Sequence, residues 1–298
     1  MMRRWASRAL ALALATALLA ALPVWAQEDP GEMQVPGQEP SASSGVAPIE
    51  RIAPPAGTEG LGVSWIQISL ERGTFLAAVA RSNSAGPVPL VVILHGSHGF
   101  AQQYVRLAQD LAASAGVIAV APCWFGGTAQ GARPQSPPIE CPDAPAAPGG
   151  LSPDAVQIVA SLVGVLQTLP GVLPDHLALF GHSRGAAAAV TYASFRGTPQ
   201  GVMLSGVGFP TGTLVLLQGT RSPLLILHGT RDGPSSGGAT ETVVSNARAL
   251  EAAVQANGGI AEAHYAEGAG HNDIWIDSAQ YAEWLGYMTD FLAGYVRV

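Results

Sequence analysis

Residues 177–190 read LALFGHSRGAAAAV, which is an apolar run, a pentapeptide framed by glycines and an alanine-rich stretch in direct succession. The apolar run is typical of a strand that is buried on both faces, whereas the alanines favour a helix. The chain must therefore turn sharply around Ser183, and glycine at positions 181 and 185 leaves room for that turn. This pattern predicts a serine hydroxyl exposed at the end of a strand, directly before a helix.

The rest of the chain repeats the alternation of short apolar runs and longer helical stretches. We therefore predict an α/β fold with a mostly parallel sheet, helices on both faces and an antiparallel hairpin at its N-terminal end. The predicted strands are 90–94, 117–121, 177–180, 202–204, 224–227 and 261–265, the helices 102–115, 153–169, 185–195, 240–257 and 278–295, and the hairpin 63–69 with 75–80.

Two further motifs supply what a serine nucleophile needs, which is a base held in place by an acid. The strand at 224–227 runs into HGTRD, which ends at Asp232, and the strand at 261–265 is followed by GAGH, which ends at His271. The order Ser, Asp, His is one of the known orders of a catalytic triad. We therefore predict Ser183 as nucleophile, Asp232 as orienting acid and His271 as general base. Asp273 is the alternative acid, but a neighbour on the same loop seldom reaches the far ring nitrogen.

On these three motifs, Gly-His-Ser-Arg-Gly, His-Gly-Thr-Arg-Asp and Gly-Ala-Gly-His, the sequence resembles the alpha/beta-hydrolase family. It is most similar to the dienelactone-hydrolase-like and polyesterase-like members, over residues 61–298. True dienelactone hydrolases use a cysteine nucleophile, and Ser183 stands in its place here. The resemblance therefore implies ordinary ester chemistry rather than lactone hydrolysis. About fourteen residues separate Gly208 from Pro223, too few for a large lid domain.

The resemblance also implies an oxyanion hole made of two backbone N–H groups. One belongs to Arg184, and the other to the loop HGSHG at 95–99, where Ser97 is the first choice and His98 the second. His98 and Trp124 are candidate substrate contacts, although Trp124 could instead be buried support for its loop. His95 and His98 have no third ligand at a matching spacing, so we expect no metal, and nothing in the sequence calls for a cofactor.

The N-terminus has the pattern of a secretory signal peptide, with three arginines in residues 1–8, an apolar run at 9–22 and small residues before Gln27. That run is short for a membrane span, so we expect cleavage after residue 26 and no stable span afterwards. The domains predicted are a signal peptide at 1–26, a flexible linker at 27–60 and a catalytic domain at 61–298. The protein is expected to be secreted or periplasmic, by an export route that the sequence leaves open.

Export bears on the only two cysteines, Cys123 and Cys141, because disulfides persist in oxidising compartments. We favour a disulfide between them, with two unrelated thiols as the alternative. The chain is 48% hydrophobic and 12% charged, and its net charge of −7 grows more negative once the signal peptide is removed. A protein with this negative charge is not expected to bind nucleic acid, because it cannot neutralise the phosphates.

The leading hypothesis is therefore an exported serine hydrolase that cleaves small or polymeric carboxylic esters through an acyl-enzyme. A peptidase or an acyltransferase on the same scaffold is the first alternative, since the triad chemistry is shared. A non-catalytic binding protein with the same fold is the second, although such proteins usually lose a triad member. The natural substrate and the oligomeric state do not follow from the sequence.

Overall fold

The computed structural model describes residues 48–128 and 132–296. The predicted signal peptide lies outside the described residues, as does most of the predicted linker. Within the described part of the chain, nine strands form one sheet in the order β1-β2-β3-β5-β4-β6-β7-β8-β9. They are β1 Ile49–Ile52, β2 Ser64–Leu70, β3 Gly73–Arg81, β4 Val88–Leu94, β5 Ile118–Pro122, β6 Val172–His182, β7 Gly201–Ser205, β8 Leu224–Gly229 and β9 Ala261–Ala266.

The sheet is antiparallel at its N-terminal side and parallel elsewhere. β1 to β3 and the β3–β5 pair are antiparallel, whereas β5, β4, β6, β7, β8 and β9 run parallel to one another. The predicted hairpin is β2 with β3, and the fold class predicted from the sequence is confirmed. The carboxyl ends of β4, β6, β8 and β9 therefore meet at one edge, where open α/β sheets bind their ligands.

Helices cover both faces of this sheet. They are α1 Gln102–Ala115, α2 Pro153–Leu166, α3 Arg184–Phe195, α4 Leu214–Leu217, α5 Val244–Ala256, α6 Asp273–Ile276 and α7 Ser278–Tyr295. One buried apolar cluster lies under α2, α3 and α5, and a second lies under α1 and α7. The connection from β7 to β8 holds a 3₁₀ turn and the four-residue α4, so no lid domain covers the edge.

The strand β1 corrects the predicted domain boundary. It pairs with β2 from Ile49 to Ile52, inside the segment that was predicted to be linker. Four residues with partly or fully exposed side chains give a weak strand signal, and the strand is stabilised by its pairing with β2. The folded domain therefore begins before residue 61.

The long segment between β5 and α2 is held by the predicted disulfide between Cys123 and Cys141. Closing a loop of 18 residues stabilises a folded chain by about 3 kcal/mol on the chain-entropy model. In the described part of the chain, none of the helices combines the length and the hydropathy that a bilayer span requires.

Candidate active site

Ser183 occupies a strained turn between β6 and α3. Its φ is 55° and its ψ −116°, and it is the one non-glycine residue in the described ranges with a positive φ. A Cβ on Gly185 would lie 2.1 Å from the backbone oxygen of Leu94, and a Cβ on Gly181 would lie 2.3 Å from Gly185. Glycine at both positions therefore lets β4, β6 and α3 approach closely, and the turn presents Ser183 at the helix N-terminus.

Asp232 and His271 meet at the same edge, from the loops that follow β8 and β9. His271 Nδ1 lies 2.7 Å from Asp232 Oδ2, a distance at which the ring N–H donates to the carboxylate. The side chain of Asp232 is 1% exposed and that of His271 is 6% exposed. With Nδ1 protonated toward the carboxylate, Nε2 of His271 is left free to accept a proton.

A second hydroxyl completes the surroundings of the Asp232 carboxylate. The side chain of Thr242 donates to Asp232 Oδ1 at 2.6 Å, so each carboxylate oxygen has its own donor. His228 lies beneath them: its Nε2 is 2.6 Å from the carbonyl oxygen of Thr242 and 3.4 Å from Asp232 Oδ2. Burial lowers the pKa of His228. A neutral His228 therefore ties the loop that carries Thr242 to the end of β8.

The backbone of Ser183 and the ring of His271 both lie against Ser205 and Gly206, at the end of β7. The Ser183 N–H donates to the carbonyl oxygen of Ser205 at 2.8 Å, and a Cβ on Gly206 would lie 2.9 Å from His271 Nδ1. Among the described residues no hydrogen bond joins the Ser183 hydroxyl to His271. Hydrogen bonds between catalytic groups are often long without substrate and shorten when it binds. The contact between Asp232 and His271 is thus formed, and Ser183 follows His182, whose ring centroid lies 4.9 Å from that of His271.

The loop after β4 lies across the turn and is fixed by the side chains beneath it. The Gly96 N–H donates to the Tyr104 hydroxyl at 2.8 Å, and the Trp124 Nε1–H donates to the His95 carbonyl oxygen at 2.9 Å. Within the described residues the backbone N–H groups of Ser97 and Arg184 have no protein acceptor. These two N–H groups are the ones that were predicted to form the oxyanion hole.

The guanidinium of Arg184 links three loops around the site. Its Nε donates to the Ser97 hydroxyl at 3.0 Å, and an η nitrogen donates to the carbonyl oxygen of Pro148. The same group lies over the ring of Phe125, 5.8 Å from its centroid. The sequence predicted a role for the Arg184 backbone only. The side chain therefore adds a contact that holds the two N–H donors together.

Three histidine rings form a row behind the serine. The His98 and His182 centroids are 5.4 Å apart, and those of His182 and His271 are 4.9 Å apart. Burial lowers the pKa of His98 to about 4, lowers the pKa of His95 to about 3 and holds the pKa of His182 well below its usual value. His182 is fixed between the Ser205 hydroxyl and the Asn272 side chain. His98 and His182 therefore stay uncharged near neutral pH.

Two predicted substrate contacts are not seen. Trp124 is 0% exposed and packs beneath the loop after β4, so it supports that loop and does not wall a subsite. His98 is 5% exposed, and its Nε2 contacts the Tyr104 hydroxyl and the Gln103 amide. Asp273 does not compete with Asp232, because its carboxylate accepts the Gly270 N–H at 2.8 Å. Trp124 is thus the buried support that was its alternative assignment, and His98 is held by its contacts with Tyr104 and Gln103.

An open cleft of about 460 Å³ begins at Ser183. Its walls come from the loop after β4, the segment before α2, the start of α3 and the segments after β7 and before α5; they include Ser97, Leu151, Arg184, Phe209, Glu241 and Thr242. The cleft reaches the proposed nucleophile directly from solvent. Thr242 was missed from the sequence because a lone threonine on a polar loop carries no local signal of its contact with Asp232.

Comparison with known proteins identifies the family. A family model described as the dienelactone hydrolase family matches residues 75–277. This range includes all the residues discussed above as candidate nucleophile, acid, base and oxyanion donors. A search of curated proteins finds no match.

Solved structures share the fold. An esterase from Pyrococcus furiosus is 14% identical with a TM-score of 0.62, over 83% of this chain and 98% of that one. Thermogutta terrifontis esterase 2, phosphoramylated by tabun, is 14% identical with a TM-score of 0.61, over 78% and 94%. A putative dienelactone hydrolase from Klebsiella pneumoniae is 16% identical with a TM-score of 0.57, over 83% and 98%. At these identities the likeness concerns the fold alone.

Proposed function

The chain belongs to the dienelactone hydrolase family, and we propose that it is an exported serine hydrolase that cleaves carboxylic esters through an acyl-enzyme on Ser183. The observation that carries this proposal is the 2.7 Å contact between His271 Nδ1 and Asp232, at the edge where Ser183 is held with a positive φ. A buried acid that orients a histidine beside a serine is the arrangement that acyl transfer uses.

In the first half of the reaction, Ser183 Oγ attacks the ester carbonyl carbon while His271 Nε2 takes the hydroxyl proton. The negative charge that develops on the carbonyl oxygen is stabilised by the N–H groups of Ser97 and Arg184, each contributing about 3–4 kcal/mol. Asp232 keeps His271 in the tautomer that leaves Nε2 free and stabilises the imidazolium that forms. The carbon–oxygen bond then breaks, and the alcohol leaves with the proton from His271.

In the second half, a water molecule takes the place of the alcohol. His271 accepts a proton from this water as its oxygen attacks the acyl carbon, and the proton returns to Ser183 Oγ as the acid is released. Water reaches the acyl-enzyme through the open cleft at Ser183. The net reaction is therefore an ester plus water giving an acid and an alcohol.

The test is covalent labelling with a fluorophosphonate, which reacts with activated serines. The wild type is expected to label and to hydrolyse p-nitrophenyl acetate, the Ser183→Ala variant to do neither, and the Ser161→Ala variant on α2 to do both. Labelling that persists in Ser183→Ala would refute Ser183 as the nucleophile. Cleavage of peptide anilides in place of p-nitrophenyl esters would favour a peptidase, and a folded wild type that neither labels nor hydrolyses would favour a binding protein.

Export is supported by the N-terminal pattern and by the disulfide between Cys123 and Cys141. We expect the full chain, expressed in a bacterium, to be recovered outside the cytoplasm with Gln27 as its first residue. A chain that lacks residues 1–26 is the matched control and is expected to stay in the cytoplasm. Recovery of both chains with the cytoplasmic fraction would contradict export.

A further inference from the structure

A second groove lies beside the cleft, on the surface formed by α2, α3 and α4. It has a volume of about 400 Å³, and its apolar walls include Leu151, Pro153, Val156, Phe195 and Leu216. Phe195 is 54% exposed and Leu216 is 49% exposed. In the described ranges five large apolar side chains are at least 46% exposed, and three of these five are Phe195, Val215 and Leu216. A concentration of exposed apolar surface of this kind marks a binding site.

The groove and the cleft at Ser183 lie next to each other, because Leu151 lines both. The segment that carries Leu151 is pressed onto the first turn of α3: a Cβ on Gly150 would lie 2.8 Å from the Ala187 Cβ and 2.9 Å from the Arg184 carbonyl oxygen. This contact fixes the position of Leu151 relative to the serine. Leu151 is therefore the residue over which a ligand bound at Ser183 would pass from the cleft to the groove.

The groove follows α3 away from the nucleophile. Thr191, eight positions after Ser183, lines it, and Phe195 lies one helical turn further on. At about 1.5 Å of rise per helical residue, the groove reaches about 12 Å from the serine or more. This distance suits an extended hydrocarbon chain rather than a short acyl group such as acetate.

The chemistry of the reaction determines which part of the ester enters the groove. The alcohol must leave with a proton from His271, so it lies on the histidine side of Ser183. The residues that line the cleft and the groove in the described part of the chain include Ser183 but not His271. The acyl part, which becomes bonded to Ser183 Oγ, therefore points along the cleft toward Leu151.

We infer that the groove lined by Leu151, Phe195 and Leu216 binds the acyl chain of a long-chain aliphatic ester. This inference rests on the proposed function, since it assigns the substrate class of that same site. Burying each methylene group of the chain contributes about 0.8 kcal/mol, or about a fourfold gain in affinity. The enzyme therefore prefers medium and long acyl chains to acetate.

The test compares Phe195→Gln and Leu216→Gln with Ile260→Gln, a control that is 46% exposed and lies just before β9. We expect kcat/KM for p-nitrophenyl decanoate to fall about fourfold to fifteenfold in the two groove variants, with p-nitrophenyl acetate changed by less than about twofold. Decyl acetate, whose long chain is on the alcohol side, is expected to show no such loss. The Ile260→Gln control is expected to have the wild-type kcat/KM for all three esters.

Binding of decanoate, measured by calorimetry, separates this inference from the proposed function. We expect the Kd for decanoate to rise by the same factor in both groove variants, whether or not an ester is turned over. If no ester is cleaved but decanoate binding is weakened, the proposed function fails and the groove stands. The acyl groove is refuted if the wild type cleaves p-nitrophenyl decanoate no better than p-nitrophenyl acetate. It is also refuted if the groove variants lose kcat/KM for decyl acetate instead of p-nitrophenyl decanoate.

Discussion

The Thr242→Val substitution tests whether the site depends on a hydroxyl that the triad motif does not include. Valine has nearly the same shape as threonine, so the packing stays in place, but the change removes the acceptor of the Ala239 N–H and the donor at 2.6 Å from Asp232 Oδ1. That oxygen is then buried without its partner, because the Asp232 side chain is only 1% exposed. The carboxylate is free to rotate, and its hold on His271 weakens.

The expected size follows from the strength of a hydrogen bond to a charged group, about 1.5–3 kcal/mol. If that energy is lost at the transition state, kcat for p-nitrophenyl acetate falls about tenfold to 150-fold. KM is expected to change little, because the hydroxyl of Thr242 acts through Asp232 and not on the ester. The assay is steady-state hydrolysis, together with urea unfolding to confirm that the variant is folded.

Thr242→Ser is the matched control, since it restores the hydroxyl and removes only a methyl group. It is expected to recover most of the lost kcat. A kcat of Thr242→Val within about twofold of the wild-type kcat would refute the reasoning. A kcat of Thr242→Ser as low as that of Thr242→Val would refute it as well. Thr242 would then be a loop residue with a structural contact alone.

Three further predictions concern stability. Gly185→Ala places a Cβ 2.1 Å from a backbone oxygen and is expected to destabilise the fold by several kcal/mol, whereas Gly164→Ala, on α2 with open space around it, is expected to be neutral or stabilising by about 1 kcal/mol. Replacing Cys123 and Cys141 together by serine is expected to lower the free energy of unfolding by about 3 kcal/mol, because the 18-residue loop is no longer closed in the unfolded chain. Finally, burial lowers the pKa of His98 from 6.5 to about 4. Between these two pH values the unfolded chain binds a proton at His98 and the folded chain does not. The free energy of unfolding therefore falls as the pH drops through this range. His98→Gln should remove about 2 kcal/mol of the loss between pH 7 and pH 5.

Urea unfolding measures all three effects. Equal stabilities of Gly185→Ala and Gly164→Ala would contradict the steric argument for the turn. A reducing agent is expected to destabilise the wild type but not the double serine variant, and equal effects on both would show that the Cys123–Cys141 link contributes nothing. If wild type and His98→Gln lose the same stability between pH 7 and pH 5, His98 does not exclude the proton.

Much of the fold was predictable because its signals are local. The apolar run before Gly181, the two glycines and the alanines after Ser183 determine a strand, a turn and a helix within a few residues. The motifs that end at Asp232 and His271 follow strands in the same way. Because the carboxyl ends of parallel strands lie at one edge of the sheet, Asp232 after β8 and His271 after β9 are expected at the same edge.

The features that the sequence did not reveal depend on contacts between distant segments. The side chain of Arg184 reaches Ser97 and Pro148, and the hydroxyl of Thr242 reaches Asp232. The burial of Trp124 follows from the way its own loop folds beneath the loop at 95–99, and no pattern in the neighbouring sequence indicates this contact. Such contacts are set by loop conformation, and loop conformation is decided by the completed tertiary structure.

The histidine of the site is placed by a strand that has only one neighbour. β9 lies at the rim of the sheet and is hydrogen-bonded to β8 alone, and the loop to His271 leaves from its end. Edge segments open locally at a lower free energy than the centre of a sheet. Mild heat or denaturant should therefore abolish activity while the amides of β4 and β6 are still protected from hydrogen exchange. Inactivation is then expected at a lower temperature or denaturant concentration than global unfolding.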